Sequence, residues 1–342
     1  MNICIVGGGA LGHVCAGVLA SQSDVNVNIY TQQPQLWSHD ITINDINKKC
    51  YKGHINLISN EAKKVIANSD IVFLCLPGFL IQKTLNDIKP HISKNTVIGS
   101  IVCSTGFFFI AHNILDKQCK LFGFQRTPFI ARVNEYGKSA NILGYKSEVA
   151  IACENIDDQE IFRKHIEALF ITPTILLNNF YEASLTNSNP ILHTGRLYSM
   201  WSNWSGEVYD HNILFYKEWT DDASRTIINM DNEFINILSK LPIDKKNIPS
   251  ILDYYESFDA SSLTNKISSI PAFQNITSPM KCLDDGRWIP DFNSRYFTED
   301  FPFGLRYIKE LAEMYNIDTP TINKVYTWGI NMINKNDNNF RK

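Results

Sequence analysis

Residues 2–20, NICIVGGGALGHVCAGVLA, decide the fold. A short run of β-branched residues meets three glycines and passes directly into apolar residues at helical spacing, so the stretch reads strand, tight turn, helix. Gly7, Gly9 and Gly12 stand in a G-x-G-x-x-G pattern at the junction. The three glycines answer different physical needs. Gly7 permits the sharp turn, Gly9 lets backbone approach a pyrophosphate, and Gly12 lets helix and strand pack closely. Ala10 and Leu11 open the helix, whose free N–H groups and positive dipole end suit phosphate. The strand before and the helix after are the context that turns a weak glycine motif into a dinucleotide-binding expectation.

Working outward, VNVNIYT (25–31) supplies a second strand, and its end is where a chain that selects NAD places Asp or Glu against the ribose 2′-OH. Here the end reads Thr31, Gln32, Gln33, with neither an acid nor a nearby arginine. That removes repulsion against a 2′-phosphate without supplying a cation for it, so the expected cofactor is NAD(P)H with a mild NADP preference. HINLIS (54–59), DIVFLCLP (70–77, closed by Pro77) and NTVIGSIVCS (95–104) continue the strands, alternating with helical FLIQKTLNDI (79–88) and TGFFFIAHNIL (105–115), which Gly106 opens. Such alternation predicts a Rossmann-type doubly wound parallel sheet with helices on both faces. From about residue 120 the extended pieces shorten, as expected of an antiparallel edge, before a helix near DDQEIFRKHIEALF and a strand PTILL.

Past residue 180 the strand signal largely vanishes. WTDDASRTIINMDNEFINILSKL, GLRYIKELAEMYNI and TPTINKVYTWGINMIN all carry 3.6-residue apolar spacing. Asp221 and Asp222 suit the first turn of the first of these, and Thr319–Pro320 suits the start of the last. Residues 242–302 are less regular, and the polar end NKNDNNFRK is expected to fray. The expected fold class is α/β, with a Rossmann-type domain over 1–180 followed by an all-α domain over 181–342.

Composition narrows the partners. The chain has 342 residues, 44% hydrophobic and 20% charged, with a net charge of -3. That balance attracts neither nucleic acid nor an anionic membrane. No apolar run approaches the roughly 18–20 residues of a bilayer span, and the N-terminus lacks the features of a signal peptide, so the cytoplasm is the expected setting. None of the eight cysteines shows C-x-x-C spacing, and most sit in apolar stretches. Buried reduced thiols and no metal site are expected.

Five further stretches carry a resemblance. NPILH (189–193), FYKEWTDDASRTIINMDNEF (215–234) and RYFTEDFPFGL (295–305), with CSTGFFFIAHNIL and QRTPFIARVNEYGKSANILGYK in the first half, resemble the opine dehydrogenase family. That family couples an amino acid's amine reductively to a 2-oxo acid, so the expected partners are those two small molecules, in a chain open to pairing as a homodimer. The resemblance places a catalytic histidine on His193, its aspartate on Asp300 and an arginine on Arg295. The residue types agree with the chemistry. A histidine titrating near neutrality can move protons in both directions, a buried aspartate fixes its tautomer, and a planar guanidinium suits a substrate carboxylate. Asn189 is read either as a helix cap or as a substrate contact. Arg295 is read either as a carboxylate ligand or as the ion-pair partner of Asp300 or Glu299. Gln125 and Arg126 stand where an arginine-using relative has a nearby acid, which points to a neutral or acidic amino donor. Arg196 is expected to be a solvated helix residue, the other seven histidines to be structural, and His193 to meet Asp300 across the interdomain cleft. The rival readings are a 2-oxo acid reductase of the ketopantoate reductase type, in which a lysine rather than His193 serves the second domain, and a non-catalytic dinucleotide-binding sensor.

Overall fold

The computed structural model describes residues 1–339. Contacts divide the chain into two compact units, Met1–Ser184 and a second that begins at Leu185.

The first unit is built on one sheet whose strands, in chain order, are β1 (Asn2–Val6), β2 (Asn26–Tyr30), β3 (Asp40–Asp45), β4 (Cys50–Ser59), β5 (Ile71–Leu74), β6 (Val97–Ile101), β7 (Lys120–Phe124), β8 (Phe129–Glu135), β9 (Ser139–Tyr145), β10 (Val149–Glu154) and β11 (Thr174–Leu176). In space they run β11-β10-β7-β6-β5-β1-β2-β4-β3-β9-β8. Strands β7, β6, β5, β1, β2 and β4 are mutually parallel. Every residue of β5 is buried, and so are Ile3–Val6 of β1. Continuous apolar strands of this kind belong in a parallel sheet covered on both faces.

The shorter pieces after residue 120 go to both ends of the sheet. β10 pairs antiparallel with β7, whereas the hairpin β8–β9 joins β3 at the far edge. Strand β3 was not anticipated: DITIND is short and half polar, and its pairings, antiparallel with β4 and parallel with β9, settle it as a strand. Helices Gly78–Ile88 and Phe107–Ile114 lie where their periodicity puts them, the latter capped by Gly106 at φ +80°.

The second unit is helical. Its longer members are Asn189–Trp201, Asp221–Leu238, Ala260–Ser269, Arg306–Met314 and Pro320–Asn339. Asp221 and Asp222 do occupy a first turn, behind Thr220, whose hydroxyl accepts from Ala223 N at 3.3 Å. The irregular region holds one hairpin, β12 (Met280–Cys282) with β13 (Trp288–Pro290). The expected fraying of NKNDNNFRK falls partly on residues 340–342, outside the described residues, and the last helix continues to Asn339.

All eight cysteines are free. Five, most of them, are buried as expected, while Cys119 is half-buried and Cys50 and Cys282 are exposed. Among the described residues no cluster of histidine, cysteine and carboxylate side chains could hold a metal, and no helix is long and apolar enough to cross a membrane.

Candidate active site

The first functional surface is made of backbone. Gly7 has φ +119°, a region that L side chains rarely adopt. A Cβ on Gly12 would lie 2.1 Å from the Gly7 carbonyl oxygen, so the helix Ala10–Ala20 can start this close to β1 only with glycine there. Gly9 differs: a Cβ there would have nothing within 4 Å, and the residue is exposed. The open space lies at the N-terminus of a helix with neither a side-chain cap nor an acid in its first turn. The first-turn N–H groups, including those of Ala10 and Leu11, therefore face a volume suited to an anion, and the cradle fits a dinucleotide pyrophosphate.

Around this turn the other expected cofactor residues take their places. Thr31 is buried at the end of β2, its N–H bonded to Ser59 O at 3.0 Å, with Gln32 and Gln33 exposed beside it. Pro77 precedes the helix Gly78–Ile88 as its N-cap. One residue expected to be structural, His13, holds the turn in place. His13 is fully buried, donates from Nδ1 to Gly9 O at 2.9 Å and accepts at Nε2 from Gly137 N at 2.7 Å. Those bonds require the neutral ring, and burial pushes its pKa down. His13 thereby ties the glycine turn to the β8–β9 hairpin, while Tyr136 brings its hydroxyl to 2.4 Å from where a Gly8 Cβ would stand. Gln125 follows β7, its backbone N–H bonded to Ala150 O at 2.9 Å, and Arg126 beside it is half-buried.

The second surface is made of side chains and lies wholly in the second unit. The helix Asn189–Trp201 has Ser188 as N-cap, so Asn189 is its first helical residue and not its cap. Pro190, in the first turn, receives the segment Phe301–Leu305: a Cβ on Gly304 would fall 2.8 Å from Pro190 Cγ. This close approach seats the residue just before that segment, Asp300, beside the residue three after Pro190. His193 Nδ1 lies 2.8 Å from Asp300 Oδ2. The expected pairing is present, but both partners come from the second unit, so it does not bridge the two units. The reason is local: Gly304 on Pro190 already brings the two segments together.

His193 is satisfied at both nitrogens. Its Nε2 lies 2.9 Å from the Tyr216 hydroxyl. A carboxylate only accepts, so Nδ1 carries the proton and Nε2 accepts from the phenol. The ring is nearly buried, at 9% exposure, with Tyr296 at 4.7 Å and Phe215 edge-on at 5.6 Å. Burial, reinforced by the neighbouring Tyr296, Tyr255 and Asp300, pushes the Tyr216 phenol pKa up and keeps it protonated. Tyr216 was not singled out from sequence; it lies 23 residues from His193, and nothing in local spacing signals the contact.

Arg196 corrects a second expectation. It is 2% exposed, not solvated, donating from Nε to Phe215 O at 3.2 Å and from Nη2 to Glu218 O at 2.6 Å. Burial pulls its pKa down to about 10, partly offset by Glu218. Because those two carbonyls flank Tyr216, Arg196 fixes the segment that carries the phenol. Arg295 behaves oppositely. Its side chain is 84% exposed and forms a loose ion pair with Glu299, Nε to Oε1 at 4.0 Å, beyond hydrogen-bond length.

Comparison with known proteins covers both halves of the chain. Residues 176–333 match the sequence profile described as NAD/NADP octopine/nopaline dehydrogenase, alpha-helical domain, and residues 3–102 match that of ketopantoate reductase PanE/ApbA. The opine dehydrogenase of Haliotis discus hannai is 26% identical over 96% of this chain and 89% of its own length. The tauropine dehydrogenase of Arabella iricolor is 27% identical over 97% of this chain and 91% of its own. A solved structure of octopine dehydrogenase with NADH and L-arginine shares the fold, at a TM-score of 0.85 and 23% identity over 98% of this chain and 90% of that one. The ketopantoate reductase match over residues 3–102 includes the glycine turn, whereas the octopine/nopaline match over residues 176–333 includes His193 and Asp300. Along nearly its whole length the chain is similar to opine dehydrogenases, which are NAD(P)-dependent oxidoreductases.

Proposed function

We propose that this protein condenses the amine of an amino acid with a 2-oxo acid, pyruvate by family default, and reduces the resulting C=N bond to an N-(carboxyalkyl) amino acid. The observation that carries the reading is the 2.8 Å contact between His193 and Asp300, in the half of the chain that matches the octopine/nopaline dehydrogenases. A sensor that only bound the dinucleotide would have no use for such a pair. A nicotinamide dinucleotide, when bound, supplies a hydride. Gly7, Gly9, Ala10, Leu11 and Gly12 would hold its phosphates, Thr31 would face the adenosine ribose, and Pro77 would line the nicotinamide side. With no carboxylate at the end of β2, NADPH is modestly preferred.

Imine formation needs a proton delivered to the leaving hydroxyl and another removed from nitrogen. His193 serves as the proton carrier, and Asp300 fixes its tautomer and balances the imidazolium. The exposed Arg295 guanidinium is available for a substrate carboxylate, with Asn189 as a further contact, and Gln125 and Arg126 take part in recognising the amino acid. Without an acid at those last two positions, the donor is a neutral or acidic amino acid rather than arginine. Screening NADH and NADPH oxidation over twenty amino acids with pyruvate and 2-oxoglutarate tests this. Amine-dependent turnover supports the proposal, whereas reduction of the oxo acid alone favours the ketopantoate-type rival. A tenfold preference for NADH would remove the NADP preference only.

A further inference from the structure

We infer that the proton does not pass directly between His193 and the substrate, but through Tyr216, whose phenol is the terminal group of an Asp300–His193–Tyr216 relay. This rests on the proposed role of His193 and extends it. Both imidazole nitrogens are engaged, at 2.8 Å by Asp300 and at 2.9 Å by Tyr216, so a direct encounter of the ring with substrate requires one of those bonds to break. Tyr216 is poorly placed to move aside. Its ring stacks on Phe273 at 4.3 Å, lies nearly parallel to Trp219 at 5.9 Å, and is 6% exposed. The backbone on either side is held by the Arg196 bonds to Phe215 O and Glu218 O.

The phenol has the valence that a relay needs. While donating to Nε2 it keeps two acceptor lone pairs, and with its O–H turned outward it accepts from an imidazolium Nε2–H. Burial keeps it a phenol rather than a phenolate, and so a donor at neutral pH. In the condensing direction the carbinolamine C–O bond breaks as the phenol gives its proton to the departing oxygen. The imidazolium Nε2 refills the phenol, and the nitrogen lone pair closes the C=N bond. Water leaves, and the positive charge moves from imidazolium to iminium. In reverse, water adds to carbon, its proton passes to the phenol oxygen, and the phenolic proton passes to Nε2. No electron acceptor or donor enters this step.

The test compares Tyr216→Phe, His193→Ala and the double variant in the amine-dependent reaction, with NAD(P)H fluorescence titration as the folding control. The relay predicts that Tyr216→Phe loses about 10² or more in kcat, within about tenfold of whatever His193→Ala loses, and that the double variant is no worse than the more damaged single one. Retention of more than a third of turnover by Tyr216→Phe, with His193→Ala still crippled, overturns the relay and leaves the role of His193 intact. If His193→Ala itself keeps more than a tenth of wild-type turnover, the underlying reading fails as well. Should Tyr216→Phe not fold, the wild-type protein decides by a proton inventory of kcat in H2O–D2O mixtures. A downward-curved dependence, reporting two protons in flight, supports the relay; a linear or flat one overturns it.

Discussion

The glycine turn and the histidine site do their work by opposite means. The turn functions through what its residues lack: without side chains at Gly7, Gly9 and Gly12, helix and strand close up and leave open space at a helix N-terminus. The histidine site functions through what distant residues bring, with His193 meeting a carboxylate 107 positions away and a phenol 23 positions away. The backbone surface leaves no room for a side chain at Gly7 or Gly12 but leaves open space at Gly9. A surface of side chains tolerates local change but depends on every contact that aims it.

Substitutions at the turn should break the comparison most sharply, because two glycines in one motif are expected to fail differently. Gly9→Val places its side chain in open space, so the protein should fold with a near-normal Tm and lose cofactor affinity by about 100-fold or more, on the order of 3 kcal/mol. Gly12→Val drives Cβ into the Gly7 carbonyl oxygen and should lower the stability of the unit itself by about 1–3 kcal/mol or more. Thermal unfolding and NAD(P)H titration on both variants check this. Equal damage to Tm in the two would show that Gly9 is as packed as Gly12.

Arg196→Met tests how the second site is aimed. It leaves the Phe215 and Glu218 carbonyls without their buried donor, an expected cost of about 1–3 kcal/mol in denaturant unfolding. Because the same segment carries Tyr216, kcat should fall while cofactor affinity stays unchanged. A fully stable, fully active Arg196→Met would return that residue to the solvated role first expected of it.

The smallest effect concerns a buried acid outside both surfaces. Asp231 accepts from Ile251 N at 2.8 Å, and burial pushes its pKa up to about 6, with Ile251 opposing and Asp253 adding. A raised acid binds its proton more tightly in the folded state, so its protonated form is tolerated below about pH 4. The penalty of ionisation then grows as pH rises and is complete above 6. Asp231→Asn removes that penalty. The stability difference, variant minus wild type, should therefore grow by about 2 kcal/mol between pH 4 and pH 8. A difference that is constant with pH would mean that the penalty does not arise from this carboxylate.

Legibility followed the same division. The turn could be read from its glycine spacing, although its packing partners, Cys75 against Gly7 and Gly137 against His13, lie far along the chain. The alternating strands of the first unit were equally plain, since buried parallel strands are continuous apolar runs, whereas β3 and the β12–β13 hairpin are too short and polar to declare themselves. In the second unit His193 and Asp300 came only from resemblance. Tyr216 was invisible because no periodicity links a loop tyrosine to a helix histidine. Arg196 was misjudged because the helical pattern does not say which loop will cover it. His13 was read as structural, but its partner could not be named, because Gly137 is 124 residues away.

The central claim is that binding and chemistry are housed separately, the dinucleotide on the glycine turn and the proton on His193. One preparation of His193→Ala, measured for amine-dependent NAD(P)H oxidation and for NAD(P)H affinity, tests it directly. The account predicts a kcat lower by about 10² to 10⁴, the range general acid–base catalysis supplies, with cofactor affinity unchanged within about twofold. Turnover above a tenth of wild type, or a parallel collapse of cofactor affinity, would contradict it.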